Sequence, residues 1–290
     1  MTELETTELL REISQERREK VVDAVEGEET PDFLIKVSQT EILYTFDPVA
    51  LPFKLVNFDD FSKQLKDLYS LSTDLGNQVE ETDDPISVIT GQKPKANRIR
   101  FINGKFELSN RDFIEIQSLN FTRELVHVVL KGPSTIADVI IADAVEALWK
   151  CSGASKKWED ISKSVLLKDY GTTTKVRLGV KLEEFLAPKL WSFIDNECIN
   201  GSRYAVQSTP KSYLNNFNAP DEVFANCFVD DINLLFSVVD KETGASSKIK
   251  LKFSIVANSE YGSGVYGVTS ELPYELHIEM LKKLQQQLTS

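Results

Sequence analysis

Arg98-Ile99-Arg100-Phe101-Ile102-Asn103-Gly104-Lys105-Phe106-Glu107-Leu108 is the stretch on which the fold turns. Asn103-Gly104 stands between two short apolar runs, and both residues accept positive φ, so the pattern predicts a tight β-hairpin with Arg98 to Phe101 antiparallel to Lys105 to Leu108. Phe113 to Phe121 and Leu125 to Leu130 carry on the β-branched and aromatic character. An antiparallel sheet of three or four strands follows from this segment.

On the C-terminal side of that sheet, Thr135-Ile136-Ala137-Asp138 has the form of a capping box with Asp in place of Glu, and it opens an apolar helix through Trp149. Cys151-Ser152-Gly153-Ala154-Ser155 ends the helix and is the expected domain boundary. On the N-terminal side, residues 77 to 98 read as a loop that changes from acidic, Glu80 to Pro85, to basic, Lys93 to Arg98. Before it, Asp59 or Asp60 is expected to cap a helix with Phe61, Leu65, Leu68 and Leu75 at helical spacing. Phe33 to Phe46 supplies one strand or two. Residues 3 to 26 predict a helix with apolar ends and a middle, Ser14 to Lys20, that is polar all round, which suits a helix projecting into solvent or lying on a partner.

The second half repeats this order of elements. Thr172 to Val180 is expected as a strand, residues 182 to 198 as a helix interrupted at Pro188, Ser208 to Pro220 as loop, and Cys227 to Val239 with Lys248 to Ala257 as a long hairpin. Tyr274 to Leu288 predicts a terminal helix with His277, Leu281, Leu284 and Leu288 on one stripe. The expected fold class is α+β, with mostly antiparallel sheets each covered by helices. Three segments are expected: an N-terminal extension over 1–30 and two subdomains over 31–155 and 156–290. No residue-level similarity between the halves establishes a repeat.

Composition narrows the function classes. With 41% hydrophobic and 27% charged side chains among 290 residues, the chain has enough apolar surface to offset the entropy of ordering. No run approaches the roughly 20 apolar residues a membrane helix needs. Met1-Thr2-Glu3-Leu4-Glu5 is acidic where a signal peptide is basic and then apolar, so a cytoplasmic chain without membrane association is expected. A formal charge of -12 opposes the field of a phosphate backbone, which disfavours unaided nucleic-acid binding. Cys151, Cys198 and Cys227 form no C-x-x-C pair, and with only His127 and His277 besides, a histidine-rich zinc site is excluded. Both histidines read as packing residues, His127 within an apolar strand and His277 on the apolar stripe.

Three features invite a chemical reading. Gly262-Ser263-Gly264-Val265-Tyr266-Gly267 matches G-x-G-x-x-G, but no strand leads straight into it and no helix starts within it, so a loop is expected instead of a phosphate cradle. Of the carboxylate pairs Asp59/Asp60, Asp83/Asp84 and Asp230/Asp231, only the second is placed to chelate, since the first caps a helix and neighbours in a strand point to opposite faces. The sharpest enzymatic pattern is a magnesium-dependent nuclease of the PD-(D/E)xK type. It would use Glu115 and Gln117 on one strand, Asp84 or Glu107 as the upstream acid, and Lys93, Lys95, Arg98 and Arg100 to meet phosphate. Lys248, Lys250 and Lys252 form a positive row whose commoner role is to keep a strand from pairing with other chains. With no coherent catalytic set and a free helix at the N-terminus, the expectation is a non-enzymatic protein-binding or assembly component without cofactor. Its partner is another protein, one with a basic surface.

Overall fold

The computed structural model describes residues 3–27, 30–73, 98–109, 112–178, 231–239, 246–256 and 264–289. In chain order the described elements are α1 (Glu3–Gly27), β1 (Leu34–Phe46), α2 (Phe58–Tyr69), β2 (Ser72–Thr73), β3 (Arg98–Glu107), β4 (Phe113–Thr122), β5 (Leu125–Leu130), α3 (Ser134–Lys150), the single turn α4 (Trp158–Ile161), β6 (Val165–Arg177), β7 (Asp231–Val239), β8 (Ser246–Ile255), β9 (Val265–Ser270) and α5 (Tyr274–Thr289). The protein is α+β. The described strands form one nine-stranded antiparallel sheet in the order β2-β3-β4-β5-β1-β6-β9-β8-β7.

β1 and β6 meet at the centre, in a register that sets Thr40 opposite Thr172. From this pair the two halves of the sheet repeat one another. Each begins with a strand of 13 residues, continues through a three-stranded meander whose last strand has 6, and ends in a helix of 17 or 16 residues. Fixed contacts recur at matching places. The Thr40 hydroxyl donates to the Gly132 carbonyl at 2.6 Å and the Thr172 hydroxyl to the Leu272 carbonyl at 2.7 Å, one residue before Pro133 and Pro273. The Phe46 N–H donates to the Glu124 carbonyl and the Leu178 N–H to that of Gly264. The similarity lies in backbone and register, which explains why the two amino-acid sequences do not announce it.

The described helices that touch the sheet share one face. Thr40, Ile42, Tyr44 and Phe46 of β1 are buried, as are Thr172, Thr174 and Val176 of β6. From the same face, Tyr44 and Lys168 reach Asp138 on α3 at 2.9 and 2.8 Å, while Thr174 reaches His277 on α5 at 2.9 Å. The core under α2 and α3 includes Phe61, whose ring stands edge-on to Phe101 and Phe121 at 5.6 and 5.2 Å. A second cluster under α5 gathers Val176, Leu251, Phe253, Val268, Ile278 and Leu281.

Several local expectations are corrected. Asn103-Gly104 makes no hairpin: β3 runs unbroken to Glu107 and pairs with β4 from Arg98↔Thr122 to Glu107↔Phe113. Asn103 does take φ 58°, but inside the strand. The inward positions pass from Ile99 and Phe101 to Gly104 and Phe106, a slip of one residue matched in β4 by Ile114 and Ile116 giving way to Leu119 and Phe121. Gly104 is a glycine because of what lies over it, since a Cβ there would stand 2.5 Å from Leu71 Cδ2.

The capping box at Thr135 does not form either. The N-cap is Pro133, without a side-chain cap bond, and Asp138 is turned away to Tyr44 and Lys168. The N-termini of α3 and α5 meet and cap one another: the Thr135 N–H donates to Glu275 Oε1 at 3.3 Å, the Tyr274 N–H to Ser134 Oγ at 3.3 Å, and the Ser134 hydroxyl to the Glu275 carboxylate. A carboxylate shared by two helix N-termini opposes both dipoles favourably. On α2 the cap is Asn57, which accepts from Asp59 N and Asp60 N, while the two aspartates occupy the first turn.

α1 lies against the body. Arg17 and Arg18, from its all-polar middle, bond Asp143 on α3 at 3.0 and 2.8 Å, and Val22 is buried in the first core. Glu26 accepts from the Ser109 N–H at 2.9 Å. The polar stretch is therefore a docking face for acids buried on another helix.

Candidate functional site

Alternation decides what the second sheet face presents. With even-numbered residues of β1 and β6 turned to the helices, Gln39, Glu41, Leu43 and Thr45 of β1 and Asp169, Gly171, Thr173 and Lys175 of β6 face the other way, and all are exposed or half-buried. His127 joins them from β5, opposite Leu43, and Thr269 from β9, opposite Thr173. Cationic side chains stand at both flanks, Arg98 and Arg100 on β3 and Lys250 and Lys252 on β8, with Glu41 and Asp169 between them. Partly buried Leu43, Ile102 and Leu125 and the half-exposed Leu167 are interleaved with these charges.

At the centre of this face is a groove of about 290 Å3. Lys250 and Lys252 line it from β8 and Glu41 and Gln39 from β1, with Gly171 and Thr173 between. The Glu41 carboxylate is held by two neighbours, the Gln39 amide donating to Oε1 and His127 Nε2 lying 3.5 Å from Oε2. Thr173 and Thr269 share a hydroxyl hydrogen bond of 3.1 Å beside it. His127 is thus a half-exposed member of this face and not the buried packing residue its apolar neighbours suggest. His127 belongs to the odd set of β5, whereas Val126, Val128 and Leu130 are fully buried on the helix side.

The other titratable groups that draw notice serve packing. Asp143, with 1% of its side chain exposed, receives Arg17, Arg18 and the Tyr69 hydroxyl, the last at 2.6 Å. Burial, and then the Asp143 charge, holds the Tyr69 phenol well above its ordinary range. Glu146 accepts from Arg17 and from the Trp158 N–H. His277 is fully buried, its two ring nitrogens bonded to Thr174 and Ser270 at 2.9 and 2.7 Å, and burial pushes its pKa down to about 4. The Cys151 thiol is pushed up to about 11 by burial and by Asp60, so it stays protonated and unreactive at neutral pH.

The residues of the nuclease pattern are only partly described, and Glu107 and Glu115 are diagonal neighbours on adjacent strands. Asp84, Lys93 and Lys95 lie outside the described residues. Glu115 stands opposite Lys105 and bonds Lys131 Nζ at 2.7 Å, Glu107 is opposite Phe113, and Gln117 falls at the phase slip facing Asn103. Arg98 donates to Asn120 at 3.4 Å, and Arg100 pairs with Asn120 in register. Among the described residues no three His, Cys, Asp or Glu side chains gather as a metal site would require. Of the glycine motif, Gly264 takes φ 69° and Val265 to Gly267 belong to β9, a strand where a loop was expected. The lysine row lies on β8, which is flanked by β7 and β9 and so is not an edge needing protection. Glu41 had no sequence signal of its own. Only the long-range register that brings β1 within three strands of β8 reveals it.

No helix among the described residues is long and apolar enough to cross a membrane. Compared with models of known families, with curated proteins and with solved structures, the chain matches none.

Proposed function

We propose that this chain is a non-enzymatic, cytoplasmic binding or assembly component that docks another protein on the open face of its sheet. The observation that carries the reading is the composition of that face: partly buried Leu43, Ile102 and Leu125 and half-exposed Leu167 set among charges of both signs. Apolar residues within a charged surround are how a protein interface keeps a dry centre and a polar rim. The two halves of the sheet, each with its own core cluster, act on this reading as two subdomains presenting one continuous surface.

Capture from native lysate tests it when the bait is varied. A partner retained by the wild-type chain and by Lys283→Glu on the far face of α5, yet lost with Leu43→Arg/Leu167→Arg, supports the assignment. Identical capture by all three baits, or none by any, refutes it. Folding of each bait is checked by its melting temperature. The reading also expects no cutting of nucleic acid with magnesium. Cutting that disappears in Glu115→Ala but survives in Glu271→Ala would establish a nuclease instead.

A further inference from the structure

We infer that the central groove is a two-pole clamp for an extended segment of the partner, one with an acidic and a basic residue four positions apart. The inference rests on the open face being the docking surface.

The spacing of the poles follows from the sheet. Glu41 is on β1 and Lys250 and Lys252 are on β8, with β6 and β9 between them. Three inter-strand steps of about 4.8 Å separate the poles by about 14 Å. In an extended chain alternate side chains share a side, and four residues span about 13 Å. A segment crossing the strands therefore sets residues i and i+4 over the two poles, both pointing down. Its acid meets the lysines and its base meets Glu41.

The poles are built unequally. Glu41 is anchored on both oxygens, by Gln39 and beside His127, so its charge is fixed in place. Lys250 is exposed, and Glu271, next in the chain after β9, also lines the groove beside the lysines. The ground between the poles is open because residue 171 is glycine. A Cβ there would find only Glu41 Cβ, at an ordinary 3.7 Å, so packing does not require the glycine. What any side chain at that position would fill is the groove. An open trough of this kind suits a chain segment better than a free small molecule, since small-molecule sites largely enclose their ligand.

The test titrates the full chain with short capped Ser/Thr peptides, following amide shifts by NMR. In one peptide a single aspartate is followed four positions later by a single lysine. In the other the lysine comes three positions after the aspartate, which puts the charges on opposite sides. The clamp requires the first to bind at least tenfold tighter. Gly171→Val, which a strand accepts, should weaken that binding at least tenfold with the melting temperature unchanged. Lys250→Glu/Lys252→Glu should abolish it, and adding Glu41→Lys should restore it, since the peptide then binds in the reverse direction. Equal binding of both spacings, no binding of the first, equal shifts from a mixture of free aspartate and lysine, or indifference to Gly171→Val would each overturn the clamp. Loss of partner capture with Leu43→Arg/Leu167→Arg is read separately, so the docking surface can stand while the clamp fails.

Discussion

The two halves of the sheet share a backbone plan and differ in what they bury. Under α5 the polar core is a neutral trio, His277 between Thr174 and Ser270. Counting from the paired threonines and prolines, the matching places under α3 hold Ala137, Ile42 and Leu130, all buried and apolar. The first half instead buries charge farther along its helix, where Asp143 and Glu146 take Arg17 and Arg18 from α1. A neutral network is satisfied within its own half. A charged one must recruit its counter-ions, and here it recruits an additional helix. Through its described contacts α1 therefore belongs to the stability of the first half, a division that perturbing each half in turn should expose.

The largest effect is expected from Asp143→Ala. It strips the shared acceptor from two arginines and from Tyr69 and leaves partly buried positive charge, with Glu146 and the exposed Glu159 beside Arg17. Removing one partner of a buried pair costs about 3 to 5 kcal/mol. At roughly 2 to 4 °C per kcal/mol the melting temperature should fall by about 10 °C, and α1 should become the first site of limited proteolysis. Unchanged melting with α1 still protected would show that apolar residues such as Val22 hold the helix, and that the arginines add nothing.

The second half should respond to pH. The unfolded chain protonates His277 near 6.5 and the folded state only at about 4, so the stability present above pH 6.5 is lost as pH falls through that window. The full shift corresponds to roughly 3 kcal/mol. Urea unfolding at pH 7.5 and 4.5 should show wild type losing about 2 to 3 kcal/mol more than His277→Gln. Equal losses would place the acid sensitivity elsewhere; Asp138 is not the source, because burial raises its pKa and such a group gains stability as pH falls.

A smaller effect is expected at Gly104. Its Cβ would meet Leu71 Cδ2 at 2.5 Å and the Tyr69 carbonyl at 3.1 Å, and only the leucine can give way. Gly104→Ala should cost about 1 to 3 kcal/mol by overpacking, whereas Gly171→Ala should cost under about 1. If both are neutral, the close approach of residues 69–71 to β3 is wrong.

Gly104 also marks the limit of what the sequence discloses. The strands from 98 to 130, the apolar helix before Cys151, the hairpin of β7 and β8 and the terminal helix are all legible, because period and burial are local properties. Asn103-Gly104 misleads because positive φ serves a kink as well as a turn, and only strand pairing distinguishes the two. Arg17 and Arg18 look solvated because their counter-ions lie more than a hundred residues away, within a helix whose other residues are mostly apolar. The groove fails to announce itself for the same reason: Glu41 and Lys250 become neighbours only through β6 and β9.

The finest test addresses the symmetry itself. Thr40 and Thr172 are both fully buried, sit opposite each other, and donate to equivalent carbonyls over nearly equal distances, 2.6 and 2.7 Å. Val matches Thr in shape and strand preference, so Thr40→Val and Thr172→Val each remove a hydroxyl and leave one buried carbonyl short of a donor. Each should cost about 1 kcal/mol, with the two values equal within error. Directly opposed residues lie within about 5.5 Å, where mutations cease to be independent, so the double variant should differ measurably from the sum of the singles. A repeat that had kept its shape but reassigned its contacts would give unequal costs, the larger on whichever side the carbonyl finds no substitute. Equal costs with clear coupling would mark the Thr40/Thr172 pair as the joint through which the charged half and the neutral half are held as one sheet.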